Sequence, residues 1–576
     1  MNSTTPAESR GHRLVSPGFL GLLVTQFLGA FNDNMFRWLA VPLAKSAVGD
    51  STALSLGLAC FTLPYLLLAS HAGYLADRFS KRKVIVACKV AEVVIMALGM
   101  WAIAQGDVTF LFIVVGLMGA QSALFAPAKM GSIPEMVTPD RLSKANGVMA
   151  LTTVVAAALG FIAGNLLFGM TADPDLGLAG PLTLGPASAA LLGVALVGWI
   201  ASLFVERLPA ADQTRKFPVN PLGETWHGLR LLTADKPLMR TALGISFFWF
   251  LASLAQMTID PLVTTQLHLT QEDVGPFLGV LVLGLGVGSV LAGVWSGGKV
   301  ELGIVPIGAV IISVSSTALW FVGDQVESLA AITRVAYGGA MFCLFWLGFG
   351  AGFFNVPLES FMQHRSDRER RGTILAANNF LAFTLMLGSA GLFWLMNEFW
   401  SLSAGQIFLV CAIGTIPVIV YVVSLLPQAT IRAVVWLLTR TIYRVRTEGR
   451  ENLPETGGAL LVANHVSWMD GVLLLTTSSR PIRMIAYADY VQGGFIGWLA
   501  KVFGVIPIDP NGGPASIMKS LKTARQAIID GELVCIFAEG EITRTGSLLS
   551  FQRGMMPIIK GTDAPVIPIY LDGLWG

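Results

Sequence analysis

His465 and Asp470 lie five residues apart in the run Asn464-His465-Val466-Ser467-Trp468-Met469-Asp470, and their types and spacing point most directly to chemistry. An imidazole titrates near neutral pH, so it can take a proton from an attacking hydroxyl. A carboxylate beside it can hold the reactive tautomer and stabilise the imidazolium that forms. His465 is the only histidine after residue 364, and a short apolar run, Ala459 to Ala463, leads into it. A lone histidine at a strand end is more often a satisfied core residue, so the pair needs support from its surroundings.

Three further motifs follow in order. They are Gly504-Val505-Ile506-Pro507-Ile508-Asp509, then Phe537-Ala538-Glu539-Gly540-Glu541-Ile542-Thr543-Arg544-Thr545-Gly546, then Val566-Ile567-Pro568-Ile569-Tyr570. Apolar runs at 459–463, 483–487, 504–508, 533–537 and 565–570 read as strands, and 471–478, 514–530 and 551–561 as helices. Residues 448–576 are therefore expected to form an α/β domain.

The ordered set resembles the glycerolipid acyltransferase family. In Ile508-Asp509-Pro510 and in Ile542 to Leu548 it is similar to bacterial 2-acylglycerophosphoethanolamine acyltransferase/acyl-ACP synthetases, over residues about 430 to 576. The resemblance implies acyl transfer from acyl-ACP or acyl-CoA to a lysophospholipid hydroxyl, with no bound cofactor and no metal. The acceptor hydroxyl attacks directly, with His465 as base and Asp470 as its orienter. Glu539, Gly540, Thr543 and Arg544 are expected to bind the glycerol-phosphate headgroup. Glycine lets backbone N–H groups approach a phosphate, and arginine offers a bidentate fork. Asp509 reads as a turn or packing residue. Three positions depart from the pattern: Ala538 stands where the family usually has proline, Glu541 adds an acid, and Pro510 replaces a common arginine. They bear on headgroup and donor specificity. In the resembling bifunctional proteins an AMP-forming acyl-ACP synthetase domain follows, a candidate partner; these 576 residues contain no adenylate-forming motif.

The elements that must position this centre begin with the long apolar stretch before it. The chain is 54% hydrophobic and only 13% charged, against roughly 25% charged in soluble domains. That marks a membrane protein and gives no sign of a nucleic-acid partner. The net charge of +2 is uninformative, and the five cysteines, with no metal-ligand spacing, read as buried inert thiols. Twelve segments of spanning length are expected, at about 19–47, 52–75, 83–105, 108–130, 145–171, 186–206, 238–265, 274–297, 302–322, 333–357, 373–397 and 403–426. One set of connections carries Arg78, Lys81, Arg82 and Lys83; Lys129, Arg141 and Lys144; Arg207, Arg215, Lys216 and Arg230; Lys299; and Arg365 to Arg371. The other carries Asp50, Asp107, Asp173, Asp175, Glu272, Asp273, Asp324, Glu327 and Glu398. By the positive-inside rule the basic set is cytoplasmic, and so are both termini of a protein in the bacterial inner membrane. The polar tail, 1–17, runs into the first span without a cleavage site.

Phe125-Ala126-Pro127 after the fourth span is echoed by Phe354-Asn355-Val356-Pro357 after the tenth. This indicates a 6+6 duplication of parallel halves, about 18–206 and 238–427, joined by the basic linker 207–237, which is a transporter architecture. The stretch Gly73-Tyr74-Leu75-Ala76-Asp77-Arg78-Phe79-Ser80-Lys81-Arg82-Lys83 resembles the major facilitator superfamily signature between helices 2 and 3. Its Gly73, Asp77 and Arg78 are then conformational residues. Thr25 to Asn34 resembles the first helix of the lysophospholipid transporters of that superfamily. Charges inside spans are costly and mark functional candidates: Asp33 and Arg37 on one face of the first span, Lys89 and Glu92 in the third, Asp260 in the seventh, Arg334 and Glu359 at the ends of the tenth. The same residues would also serve as structural clips.

Residues 428–447 place Ile431, Val434, Val435, Leu438, Ile442 and Val445 on one face and arginines opposite, as in a helix lying in the membrane interface. The whole reads as an all-α twelve-helix major facilitator domain followed by an α/β acyltransferase domain. Its expected work is inward flipping of lysophospholipid, with lysophosphatidylethanolamine as the expected substrate, coupled by fusion to its reacylation on the cytoplasmic side. The alternatives are a drug or metabolite antiporter, or a non-transporting anchor, carrying the acyltransferase.

Overall fold

The computed structural model describes residues 16–138, 141–171, 185–210, 212–214, 216–296, 301–325, 333–367, 370–442, 445–478 and 480–574. They fall into two compact units, residues 1–300 with 307–420, and residues 301–306 with 421–576. The N-terminal tail and the acids Asp173, Asp175 and Glu327 lie outside the described residues, as does the side chain of Arg334.

The first unit is built from α1 (Pro17–Val48), α2 (Asp50–Arg78), α3 (Lys81–Gln105), α4 (Val108–Met136), α5 (Leu142–Thr171), α6 (Gly185–Ser202), α7 (Pro221–Ala234), α8 (Lys236–Pro261), α9 (Gln271–Ser296), α10 (Val305–Trp320), α11 (Thr333–Arg365), α12 (Arg371–Trp394) and α13 (Ala404–Leu425). All twelve expected apolar segments lie on these helices. Among the described residues, ten helices are long and apolar enough to cross a membrane. The other two are α1, which carries Gln26, Asn32, Asp33, Asn34, Arg37 and Lys45, and α6, whose described apolar part, Ala189–Ser202, is short.

Local chemistry sets the helix ends. Ser16 accepts the Phe19 N–H with Pro17 in the first turn, and Asp107 accepts that of Phe110. Gly284 and Gly288 in α9 face the backbone carbonyls of Phe345 and Phe349 in α11, where any Cβ would collide. Small residues at such crossings let membrane helices pack closely.

One expectation is corrected. Residues 73–78 of the signature are the last turns of α2, not a loop; the connection to α3 is only Phe79 and Ser80. The Asp77 carbonyl accepts the Asp212 N–H, and the Ser80 hydroxyl donates to the Leu208 carbonyl, so this corner is tied to the linker. The linker itself contains α7, capped by Asn220 and with Pro221 in its first turn.

The second unit contains α14 (Pro427–Ile442), β1 (Ala459–Ala463), α15 (Asp470–Thr477), β2 (Ile482–Tyr487), α16 (Gly494–Val502), β3 (Ile506–Ile508), α17 (Gly513–Ile529), β4 (Leu533–Phe537), α18 (Met555–Ile559) and β5 (Val566–Ile569). The strands form one parallel sheet in the order β3-β2-β4-β1-β5. Leu460 and Val534 pack on one face with Leu521, Ala524 and Ile528 of α17. Ala459, Leu461, Leu533 and Cys535 pack on the other with Leu474 of α15. Burial of both faces explains why these strands read as continuous apolar runs. The expected helix over 428–447 ends at Ile442, and residues 445–449 are not helical. The strand expected from 504 starts at Ile506, because the short helix α16 precedes it and its turn closes on a left-handed Gly504. The helix expected over 551–561 is only the short α18.

Candidate functional site

In the second unit the strand register assembles the centre. Ala463 of β1 pairs with Phe537 of β4. His465 and Glu539 each lie two residues past that pair, so they meet across the carboxyl ends of adjacent parallel strands, the usual place for a site in such sheets. His465 Nδ1 is 2.8 Å from Asp470 Oδ2. That same oxygen accepts the N–H groups of Val466 (2.6 Å) and Ser467 (2.9 Å). An acceptor already holding two amides fixes the ring as donor through Nδ1, which leaves the Nε2 lone pair available. Asp470 is fully buried, while the His465 side chain is 21% exposed. Asp470 also begins α15, where the helix dipole favours its charge. The Phe537 ring stacks on the imidazole at 4.1 Å. The arrangement can remove a proton from a hydroxyl brought to Nε2.

The headgroup candidates separate. Glu539 is buried; its Oε1 accepts the His465 N–H (2.8 Å) and its Oε2 the Leu549 N–H (2.7 Å). The Thr543 N–H donates to the His465 carbonyl (3.0 Å), and its hydroxyl to the Ser547 carbonyl (2.7 Å). Gly540 has φ +77° and donates its N–H to the Phe537 carbonyl. Of the three residues expected at a headgroup, Glu539 and the Thr543 N–H brace the His465 segment, while the Gly540 N–H and the Thr543 hydroxyl close turns within their own loop. Arg544 is exposed, one residue beyond the Thr543 bond, and makes no hydrogen bond or ion pair among the described residues. Asn464 exchanges two hydrogen bonds with Leu571, tying the ends of β1 and β5. Asp509 accepts the Asn511 N–H in a turn.

In the first unit a cavity of ≈430 Å³ lies between the two halves. Its charged lining, Asp33 and Arg37 (α1), Lys89 and Glu92 (α3) and Lys129 (α4), comes entirely from the first half. The second half lines it with Phe247, Phe248, Trp249, Leu281, Leu285 and Phe354, among others, and with no charge. Asp33 and Arg37 share the cavity without forming an ion pair. Asp33 accepts from Ser122 (2.5 Å), and Arg37 donates to Asn34 (3.2 Å) and lies over the Phe61 ring. Lys89 pairs with Glu92 at 2.5 Å, and Glu92 also accepts from Asn32. Lys129, placed by its sequence in a cytoplasmic connection, is instead inside α4, over the Phe125 ring. Its position two residues after Pro127, beside a Phe-to-Pro stretch that the second half echoes, was the available signal, since Phe125 and its echo Phe354 both line the cavity.

Asp260 is not among the lining residues. It is fully buried in an ion pair with Lys45 of α1, and it accepts from Gln271 of α9, which donates in turn to Asn165 of α5. Nearby in sequence terms, Ser51 donates to Glu398 (2.6 Å), and Trp394 to Thr52 (3.2 Å). These contacts join the two halves at helix ends expected to face away from the cytoplasm. Of the two readings its sequence allowed, transport residue or structural clip, Asp260 makes the contacts of a clip between the halves. Gly73, Asp77 and Arg78 stand at the opposite end of α2, also away from the cavity lining.

Comparison with known proteins gives two matches: residues 22–391 to the Major Facilitator Superfamily, and residues 444–572 to the Acyltransferase family. The lysophospholipid transporter LplT of Cronobacter sakazakii is 29% identical over 391 residues, covering 67% of this chain and 90% of that protein. The protein of the same name from Enterobacter sp. (strain 638) is 27% identical over 382 residues, 66% of this chain and 89% of its own. Among solved structures, a POT family transporter in complex with 5-aminolevulinic acid has a TM-score of 0.56 at 11% identity, over 72% of this chain and 96% of its own. A bacterial homologue of the iron transporter ferroportin in an inward-facing state has a TM-score of 0.52 at 14% identity, over 70% and 98%. At these identities the likeness concerns the fold.

Proposed function

Since the chain belongs to the Major Facilitator Superfamily and carries an acyltransferase domain after its membrane helices, we propose that it moves lysophospholipid inward across the bacterial inner membrane and reacylates it on the cytoplasmic side. The observation that carries the transport half is the division of the cavity. A lysophospholipid has one acyl chain and a compact charged headgroup; the cavity has one apolar, aromatic side and one charged side. Arg37 and Lys129, neither in an ion pair among the described residues, suit a phosphodiester. Asp33 suits an ammonium, which makes lysophosphatidylethanolamine the first substrate to test. The relatives named as lysophospholipid transporters support this reading.

For the acyltransferase half, His465 Nε2 takes the proton of the lysolipid's free hydroxyl as its oxygen attacks the thioester carbonyl of acyl-ACP or acyl-CoA. Asp470 stabilises the resulting imidazolium. The tetrahedral intermediate collapses, the thiolate leaves, and the proton passes from His465 to that sulfur. In this reading Arg544, exposed and beside the Thr543 bond to the His465 segment, holds the acceptor phosphate. Joining both activities in one chain raises the concentration of acceptor at the second site.

The test supplies labelled lysophosphatidylethanolamine outside sealed vesicles and acyl donor inside. Diacyl product inside the vesicles is the expected result. Absence of inward lysolipid movement would sink the transport reading and favour an antiporter or an anchor.

A further inference from the structure

We propose that α16 is a membrane-seated element, whose exposed apolar face lies in the headgroup layer of the bilayer and holds the His465 centre at the interface where its lipid acceptor resides. Phe495, Ile496 and Trp498 are 71%, 60% and 47% exposed. The Phe495 and Trp498 rings stack at 5.6 Å, so the patch is preformed. Gly497, between them, is buried against the Val491–Gln492 backbone that leads into the helix. Gly493 and Gly494, with φ +81° and +54°, make the tight entry that turns this face outward. Monomeric soluble domains rarely leave such large side chains clustered in water.

Chain connection decides what covers it. The span α13 ends at Leu425, and the Gln428 side-chain amide donates to the carbonyl of Val502, the last residue of α16. Three residues reach at most roughly 10 Å, so the end of α16 stands no more than about one side chain farther than that from the end of a membrane span. A helix at that level with aromatic residues, one exposed lysine (Lys501) and no acid has the composition of an interfacial helix. A docking site for an acidic carrier protein would instead need a basic face. The aromatic surface also continues toward the catalytic segment. Tyr490, just ahead of α16, meets Trp468 edge-on at 5.1 Å, and Trp468, three residues after His465, is 70% exposed.

The seating of α16 is independent of the acyltransferase substrate; its catalytic consequence rests on the reading above. The test uses the full chain in phosphatidylethanolamine/phosphatidylglycerol vesicles, with Ile496→Cys carrying an environment-sensitive fluorophore. Unsubstituted protein, treated in the same way, gives the background of the five native cysteines. Lys519→Cys, on the exposed side of α17, is the comparison. The expected result is that the label at 496 is quenched by lipids bearing shallow spin labels and shielded from aqueous iodide, with the reverse at 519. Equal iodide quenching at both positions overturns the proposal, as does shielding at 496 that needs added acyl carrier protein or depends on protein density. In the same vesicles, Phe495→Ser with Trp498→Ser is expected to lower acylation of long-chain lysolipid tenfold or more. Activity on a short-chain, water-soluble lysolipid should be retained; equal loss on both overturns the catalytic consequence. If unsubstituted protein acylates neither lysolipid, the substrate reading fails, and the fluorescence still decides the seating.

Discussion

One carboxylate oxygen of Asp470 receives two backbone amides and the His465 ring, and this is what sets the tautomer of the base. Replacing His465 by alanine is expected to lower acylation by about 10²- to 10⁴-fold while leaving lysolipid movement intact, read as labelled lysolipid gained by the vesicles. Glu539 and Arg544, alike in sequence terms as headgroup candidates, should now behave differently. Glu539→Gln presents an amide NH₂ to one of two backbone N–H groups, a mismatch of about 1–3 kcal/mol that displaces His465. We expect kcat to fall about tenfold or more with KM for lysolipid little changed. Arg544→Ala should instead raise KM and spare kcat. Initial rates against lysolipid concentration separate the two, and a KM effect for Glu539→Gln would refute the bracing role. Cys535, fully enclosed in β4, has its thiol pushed up to about 12 by burial. It should resist iodoacetamide at pH 8 until the chain is denatured, as mass spectrometry of the β4 peptide would show.

Among elements, α1 is the most heavily engaged. It supplies Asp33 and Arg37 to the cavity and Lys45 to the clasp with Asp260, Gln271 and Asn165. Removing one charge from a buried pair strands the other, at a cost of about 3–5 kcal/mol. Asp260→Asn and Lys45→Met should each lower thermal stability and transport. The charge-free double variant, Lys45→Met with Asp260→Leu, should recover more of both than either single change. Were Asp260 instead a substrate or ion ligand, the double variant would stay inactive. The helices α7 and α16 make a related point. Short helices beside long apolar ones look like connection in a sequence, because two to four turns leave no run of spanning length.

For the whole molecule, the two proposed activities can be dissociated by the side from which lysolipid arrives. Asp33→Asn is expected to stop product formation from lysolipid added outside vesicles, while acylation of lysolipid placed inside continues. His465→Ala should stop both and still let labelled lysolipid enter. If Asp33→Asn left outside-to-inside product unchanged, the cavity would not be the route. Fusion makes sense only if the two sites share a lipid, and these paired variants examine that directly.

By itself the sequence determined the class of each part. Spans, loop charge alternation, the 6+6 echo and the four ordered motifs are properties of local composition and order, and a bilayer or a buried parallel sheet imposes them residue by residue. His465 and Asp470 were legible for the same reason, since five residues of one turn bring them together. The tertiary structure alone decided roles that depend on distant partners. Lys129 faces the cavity and Asp260 does not, because the packing of α4 and α8 sets which way each side chain points. Glu539 braces His465 because Ala463 and Phe537 are in register, a pairing across more than seventy positions of chain. No local pattern encodes such partners; they exist only once the strands and helices have met.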